Sequence, residues 1–255
     1  MAIQKSFEAV RLQRAANNEP GVSQPPAVAR AQTLDRVALR ERRVILPDEQ
    51  DAAARAYRML RSQVLRQARS QSLRMIGLAS CVDGEGKTLT ATNLALSIAA
   101  EPNQTVLLVD LDLRRPGVAR LLGLEAHDGL EAWFEGRAAV SDLFVRLDGV
   151  PRMRVLPTFA PVPGSSEAVS DGRTRDLLAE LKNRYNDRLV IIDLPPVLLA
   201  DDALTLAPLL DGVLLVASEG RTRRDDITRM TELLGGVRIL GTVLNISSDA
   251  EQRVY

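Results

Sequence analysis

The sequence predicts an α/β domain, a mostly parallel central sheet with helices on both faces, preceded by a flexible basic N-terminal segment. Three observations carry that prediction. Short apolar runs rich in Val, Ile and Leu recur through the chain, without the polar alternation of a half-solvated sheet. Stretches with helical spacing separate most of them, as strand–helix–strand units require. The first run leads through a glycine-rich turn directly into a helix.

The 255 residues suit one large domain, or a domain plus a tail. The expected division is a flexible basic segment at 1–47, an α/β domain at 48–246 and a mobile tail at 247–255. Residues 17–27 (NNEPGVSQPPA) are polar and turn-rich, as a linker is. A short element is expected over 34–46, stopped by Pro47. A helix should follow from 47 to about 70, with Asp48 as its cap, acidic residues in its first turn, and Tyr57, Leu60, Val64 and Leu65 on its inner face. Buried strands are expected at 75–79, 105–109, 153–156, 189–192, 212–216 and 239–244. Helices should fill 87–100, 173–185, 202–210 and 222–235. Region 117–150 reads as short helices and loops with Leu121, Leu122 and Trp133 facing the core.

Composition removes several functions. Aromatics are 3% of the chain, too few for stacking platforms on single-stranded nucleic acid, and no nucleic-acid partner is expected. One cysteine, Cys81, excludes an internal disulfide framework and a cysteine zinc site. One histidine, His127, argues against histidine metal sites and a Ser-His-Asp triad. No run of about 18 apolar residues is present and the N-terminus lacks a signal-type core, so a cytoplasmic, reducing location is expected, with no transmembrane segment. Net charge is zero, yet the first 74 residues hold 14 basic and 7 acidic side chains. That asymmetry fits an arm meeting an acidic surface, a membrane face or a partner; it equally fits a solvated face.

The chemistry concentrates at residues 81–88, CVDGEGKT. The stretch matches the phosphate-binding loop G-x-x-x-x-G-K-[ST] except at Cys81, which replaces the first glycine. Glycines let backbone N–H groups turn inward around a polyphosphate, and the following helix adds partial positive charge. The expected nucleotide-binding residues are Asp83, Gly84, Glu85, Gly86, Lys87, Thr88 and Leu89, with the Lys87 ammonium on the β/γ-phosphates and the Thr88 hydroxyl on Mg²⁺. Lys87 is one of three lysines, with Lys5 and Lys182, in a chain that otherwise uses arginine. Two apolar runs end in carboxylates, one in Asp110 and Asp112, the other in Asp193. In open α/β sheets ligands sit at the carboxyl ends of strands, so these acids should lie beside the loop. Lys87, Asp110 and Asp112 are the expected catalytic residues; Thr88, Asp110 and Asp193 the expected metal ligands. The alternative is that the strand ends are merely polar and an Asp caps a helix. Cys81 reads as a space-filling residue more readily than as a redox switch, and Pro195-Pro196 as fixing the exit from a strand.

Lys87-Thr88, VLLVDLDLRRP (106–116) and VIIDLPPVLLADDA (190–203) resemble the bacterial tyrosine kinases of exopolysaccharide and capsule synthesis, in their short cytoplasmic form or the exosortase-associated autokinases. The resemblance spans roughly residues 48–246, including GVLLVASEGRT (212–222) and GTVLN (241–245). It implies a P-loop NTPase fold, ATP and Mg²⁺ as cofactors, and tyrosine autokinase activity. Asp110 would then assist the metal, Asp112 would activate or orient the tyrosine hydroxyl, and Asp193 would hold the metal's water shell. Arg114 and Arg115 would meet a neighbouring subunit or phosphate, or simply open a solvated helix. Implied partners are a membrane polysaccharide co-polymerase, a cognate tyrosine phosphatase and further copies of the chain. Three departures stand out. Asp83 replaces the family's usual proline. Arg55 replaces the glutamate opening the oligomerisation motif E-x-x-R-x-x-R, although Arg58 and Arg61 remain. The C-terminal tyrosine cluster is reduced to Tyr255. Two other readings stay open here: a nucleotide-dependent scaffold with little kinase activity, and an ATPase of the partition and septum-placement type. Against the latter, Val82 stands where that family carries its signature lysine.

Overall fold

The computed structural model describes residues 30–183 and 188–246. The linker at 17–27, Lys5, Tyr185 and the tail with Tyr255 lie outside the described residues. Among the described residues eight strands form one sheet: β1 (Arg30–Gln32), β2 (Met75–Ser80), β3 (Thr105–Asp110), β4 (Val145–Leu147), β5 (Met153–Leu156), β6 (Arg188–Asp193), β7 (Gly212–Ser218) and β8 (Ile239–Asn245). Their spatial order is β1-β4-β5-β3-β6-β2-β7-β8. Every neighbouring pair is parallel except β4 with β5. Each expected strand is present; the one at 153–156 keeps its expected bounds and the other five are one or two residues longer, and the two additional strands are the three-residue β1 and β4.

Helices cover both faces, as a buried parallel sheet demands. One face carries α1 (Arg36–Glu41), α2 (Ala52–Gln71), α3 (Lys87–Ala99) and α4 (Val118–Leu122). The other carries α5 (Leu130–Phe134), α6 (Ser165–Ser170), α7 (Gly172–Asn183), α8 (Asp202–Leu206) and α9 (Arg224–Leu233). Helix α3 is buried along most of its length, with α2 packed over it; small polar side chains, Thr90, Thr92 and Asn93, are buried among its apolar ones, and no charged residue follows Lys87 in it.

Several expectations need correcting. Asp48 does not cap α2; it ion-pairs with Arg36 at 2.6 Å. The Asp51 carboxylate accepts from the Ala54 N–H at 2.7 Å instead, and no acid occupies the first turn. The reason is a turn after Pro47, where the Glu49 N–H donates to the Leu46 carbonyl, so the helix starts later. The expected helix at 202–210 breaks after Leu206 into a 3₁₀ turn at Ala207–Leu209, where Pro208 cannot donate to a helical ladder. Residues 30–46, assigned by the sequence to a flexible segment, belong to the domain. β1 pairs with β4, Leu39, Val44 and Leu46 are buried, and Asn93 on α3 accepts from the Ile45 N–H and donates to the Arg43 carbonyl.

Candidate active site

The site stands at the carboxyl ends of β2, β6 and β3, adjacent strands in that order. β2 runs into the loop 81–86, and α3 begins at Lys87. Two glycines make this turn possible: Gly84 and Gly86 have φ of 78° and 85°, in the left-handed region that side chains avoid. A methyl group at Gly86 would also collide with the Asn245 amide.

The loop is braced from outside. The Asn245 amide donates to the Glu85 carbonyl at 3.0 Å, and an Arg221 guanidinium N–H donates to the Gly84 carbonyl at 3.3 Å. Glu85, expected among the nucleotide-binding residues, turns its side chain away from the cleft. It is buried, accepts from the Val82 N–H and bonds the Thr222 hydroxyl. Its side chain shapes the loop. Arg221, Thr222 and Asn245 were not assigned roles from the sequence, although Thr222 and Asn245 close the stretches GVLLVASEGRT and GTVLN.

Beneath the loop lie three carboxylates and one ammonium. Sheet register sets Asp110 opposite Asp193. Lys87 Nζ meets Asp193 Oδ1 at 2.7 Å and Asp112 Oδ2 at 3.4 Å. Burial works against the Lys87 charge, but Asp193, Asp112 and Asp110 outweigh it and raise its pKa. Burial and the Asp193 charge push Asp110 well above the usual carboxylate range, while the Val118 N–H and Lys87 pull the other way. Asp112 is raised too, by burial first, with Lys87 opposing and Asp193 reinforcing.

The three acids differ in where their oxygens go. Asp110 Oδ2 accepts from the Gly117 and Val118 N–H groups at 2.9 Å, and Oδ1 from the Asp112 N–H at 3.2 Å. Asp110 therefore holds the turn 112–118 in shape below the cleft. Asp112 lines the cleft itself, and its Oδ1 accepts from the Arg115 N–H at 3.1 Å. Asp193 is fully buried, and its Oδ2 has no hydrogen-bond partner.

The cleft has a volume of about 490 Å³, and Asp83, Gly84, Gly86, Lys87, Thr88 and Leu89 line it on the loop side. That is an ordinary size for a small-molecule site. The orphaned Asp193 oxygen, the residual negative charge and the Thr88 hydroxyl fit a hard divalent cation. Among the described residues no group of three or more acidic, His or Cys side chains forms a metal cage. Mg²⁺ suits such a place, because it keeps waters and shares substrate phosphates with one or two carboxylates. Arg114 does not reach the cleft. It pairs with Asp201 at 2.7 Å and the buried Asp202 at 2.9 Å, and its guanidinium also donates to Ser165 and Ser166. Arg115 lines the cleft and pairs with Asp83. Cys81 packs against Met230, and burial, with Glu85 and Asp226, pushes its thiol up to about 12; it fills space and is not a reactive thiolate.

A loop-and-carboxylate arrangement of this kind, on a parallel sheet, defines a P-loop protein of the nucleotide-hydrolysing and kinase class. No family model matches the chain. It is 31% identical over 182 residues to tyrosine-protein kinase CpsD of Streptococcus agalactiae, covering 69% of this chain and 76% of that one. The kinase domain of Escherichia coli tyrosine kinase ETK superposes with a TM-score of 0.71 at 25% identity, covering 94% of this chain and 87% of that one. The septum site-determining protein MinD of Pyrococcus horikoshii, solved with Mg-ADP, gives a TM-score of 0.56 at 25% identity over 67% of this chain and 69% of that one. The chain belongs to the bacterial tyrosine kinases of capsule and exopolysaccharide synthesis.

Proposed function

We propose that the protein transfers the γ-phosphoryl group of Mg-ATP to a tyrosine hydroxyl, as a regulator of exopolysaccharide or capsule synthesis and export. The observation that carries this reading is the convergence of Lys87 and Asp112 on one cleft at the start of α3. The loop N–H groups and the helix N-terminus bind the phosphates, and Lys87 supplies a compact charge there. When bound, Mg²⁺ would spread the charge that develops on the phosphate oxygens; Thr88 and Asp193 would hold it, directly or through water. Asp112 stands at the cleft wall with a raised pKa, suited to orient an incoming phenol and take its proton. Asp110 acts through the turn it fixes. A polysaccharide co-polymerase at the inner face of the membrane and a tyrosine phosphatase are the partners this reading calls for; no described helix is long and apolar enough to cross a membrane.

The competing readings draw on particular residues. A partition-type ATPase lacks support at Val82, and the MinD likeness covers less of the chain than the ETK kinase domain does. A scaffold reading draws on the missing C-terminal tyrosine cluster; the oligomerisation motif, altered at Arg55, does not add to it. Arg58 donates to the Glu49 carbonyl, and Arg61 to the Ser97 carbonyl and Glu101, so both arginines are engaged within the chain. Of the tyrosines, Tyr57 is partly buried on α2 and burial raises its pKa, a poor acceptor; Tyr255 is the proposed one. The test is incubation with Mg-ATP followed by phosphotyrosine mapping by mass spectrometry. Phosphotyrosine that disappears in Lys87→Ala supports the kinase, and its loss in Tyr255→Phe supports that acceptor. ADP release without phosphotyrosine would favour the scaffold or ATPase.

A further inference from the structure

Asp83 stands where this family usually has proline, in a loop built to hold anions. A carboxylate there works against phosphate by like-charge repulsion. In the structure its charge is not bare, because it ion-pairs with the Arg115 guanidinium. The partners come from different segments, Asp83 from the phosphate loop and Arg115 from the turn after β3, and both line the cleft. The pair therefore bridges the cleft between its two walls. The Arg115 side chain is 74% exposed and that of Asp83 37%, so the pair is solvated and belongs to the weak class of ion pairs that exchange partners at little cost. Lys87 is differently placed: it is buried and engaged by Asp193 and Asp112.

We propose that Asp83 and Arg115 form a latch across the phosphate cleft. The polyphosphate of an entering nucleotide takes the Arg115 guanidinium over from Asp83, which makes Arg115 a phosphate-binding residue whose availability Asp83 sets. The proposal rests on the nucleotide reading above and adds to it. Two arguments give the direction of exchange. A polyphosphate carries more charge than a carboxylate and accepts the planar guanidinium fork through two oxygens. Opening the latch also leaves Asp83 beside the phosphates, so the latch lowers nucleotide affinity relative to a chain without that carboxylate. The exchange reaches the chemistry, because the Arg115 N–H is bonded to Asp112 Oδ1. A shift of Arg115 toward phosphate draws on the same turn that orients Asp112.

The latch has a signature that plain repulsion lacks. If Arg115 must leave Asp83 to meet phosphate, part of what it gains is lost in breaking the pair. Arg115→Ala then costs less affinity in the wild type than in an Asp83→Asn background, where nothing has to be broken. If Asp83 only repels phosphate, the two substitutions are additive. The experiment is titration calorimetry of Mg-ATP against the full chain, the two single variants and the double variant, at low and at physiological salt. Asp83→Asn is expected to bind about two- to fivefold more tightly, the range of one exposed ion pair, with the gain shrinking as salt rises. Arg115→Ala should bind more weakly than wild type, by a larger factor in the Asp83→Asn background, and Arg115→Lys should fall between. Additive effects would overturn the latch, and an Arg115→Ala affinity equal to wild type in both backgrounds would overturn the phosphate role of Arg115. Failure of the wild type to bind Mg-ATP would instead bring down the nucleotide reading itself. Thermal melts of the four proteins accompany the titration; both side chains are solvated, so their melting temperatures should agree closely.

Discussion

Three carboxylates and one ammonium share the floor of the cleft, and Asp112 is the acid that also lines it. Its pKa is raised, so the folded protein binds a proton there more readily than the unfolded chain does. The sign follows directly. The charged form is disfavoured by folding, so Asp112 opposes stability at neutral pH. That opposition fades as pH falls through the raised value toward 3.8, the unfolded value. Asp112→Asn removes one charge at nearly constant volume. It should abolish phosphotyrosine formation while leaving the fold about 1 kcal/mol more stable at pH 7, the usual size of a trade between function and stability. The gain should vanish below about pH 4 by the same linkage. Denaturant unfolding at a series of pH values measures it, and a variant less stable than wild type at pH 7 would show that the Lys87 pairing outweighs burial. Lys87→Ala should act in the opposite sense. It leaves the three buried acids without their cation, a change that commonly costs 3–5 kcal/mol, on top of lost nucleotide binding.

Helix α2 shows how far sequence patterning reaches. Val64 and Leu65 are buried as their spacing predicts, yet the start of the helix is misplaced by the same reasoning. Asp48 and Asp51 are equivalent as cap residue types, and only the turn after Pro47 decides between them. Asp51→Ala should therefore cost about 1 kcal/mol in a chemical melt, whereas Asp48→Ala removes an exposed pair and should cost less than half of that. Equal losses would mean that the helix begins earlier than described. The core strands β2, β3, β6 and β7 were legible because strands buried on both faces read as unbroken apolar runs. β1 was not, since Arg30, Ala31 and Gln32 pair through the main chain and bury little. That Lys87, Thr88 and Asp112 would meet in one cleft was legible from loop and strand-end chemistry. The braces at Arg221, Thr222 and Asn245 were not, because local pattern carries no sign of a contact across more than a hundred residues. Nor was the engagement of Asp110 by main-chain N–H groups, which depends on how the turn 112–118 folds back.

The molecule as a whole is layered more deeply on one side than an α/β sandwich requires. Sheet, α3 and then an outer shell of α1 and α2 follow one another, and Leu39, Val44 and Leu46 belong to the same core as α3 and β2. The basic excess of the first 74 residues sits largely on this shell: α2 alone carries five arginines and no acid. The charge asymmetry is thus a property of the folded domain and not only of an arm ahead of it. The shell also reaches the site, because Asn93, which ties down residues 43–45, lies on the helix that starts at Lys87. Burying Leu39, Val44 and Leu46 contributes about 6 kcal/mol by transfer values, comparable with the whole stability of an ordinary domain. A chain beginning at residue 48, where the sequence alone places the domain boundary, should accordingly fail to melt cooperatively and should lose nucleotide binding with its fold. Leu39→Ala in the full chain should cost 2–5 kcal/mol, as large-to-small changes in packed cores do. Circular dichroism melts and calorimetry with Mg-ATP read both effects. A chain from residue 48 that melts within a few degrees of the full-length protein and binds nucleotide equally well would make β1 and α1 an appendage, and would leave α3 held by the sheet and α2 alone.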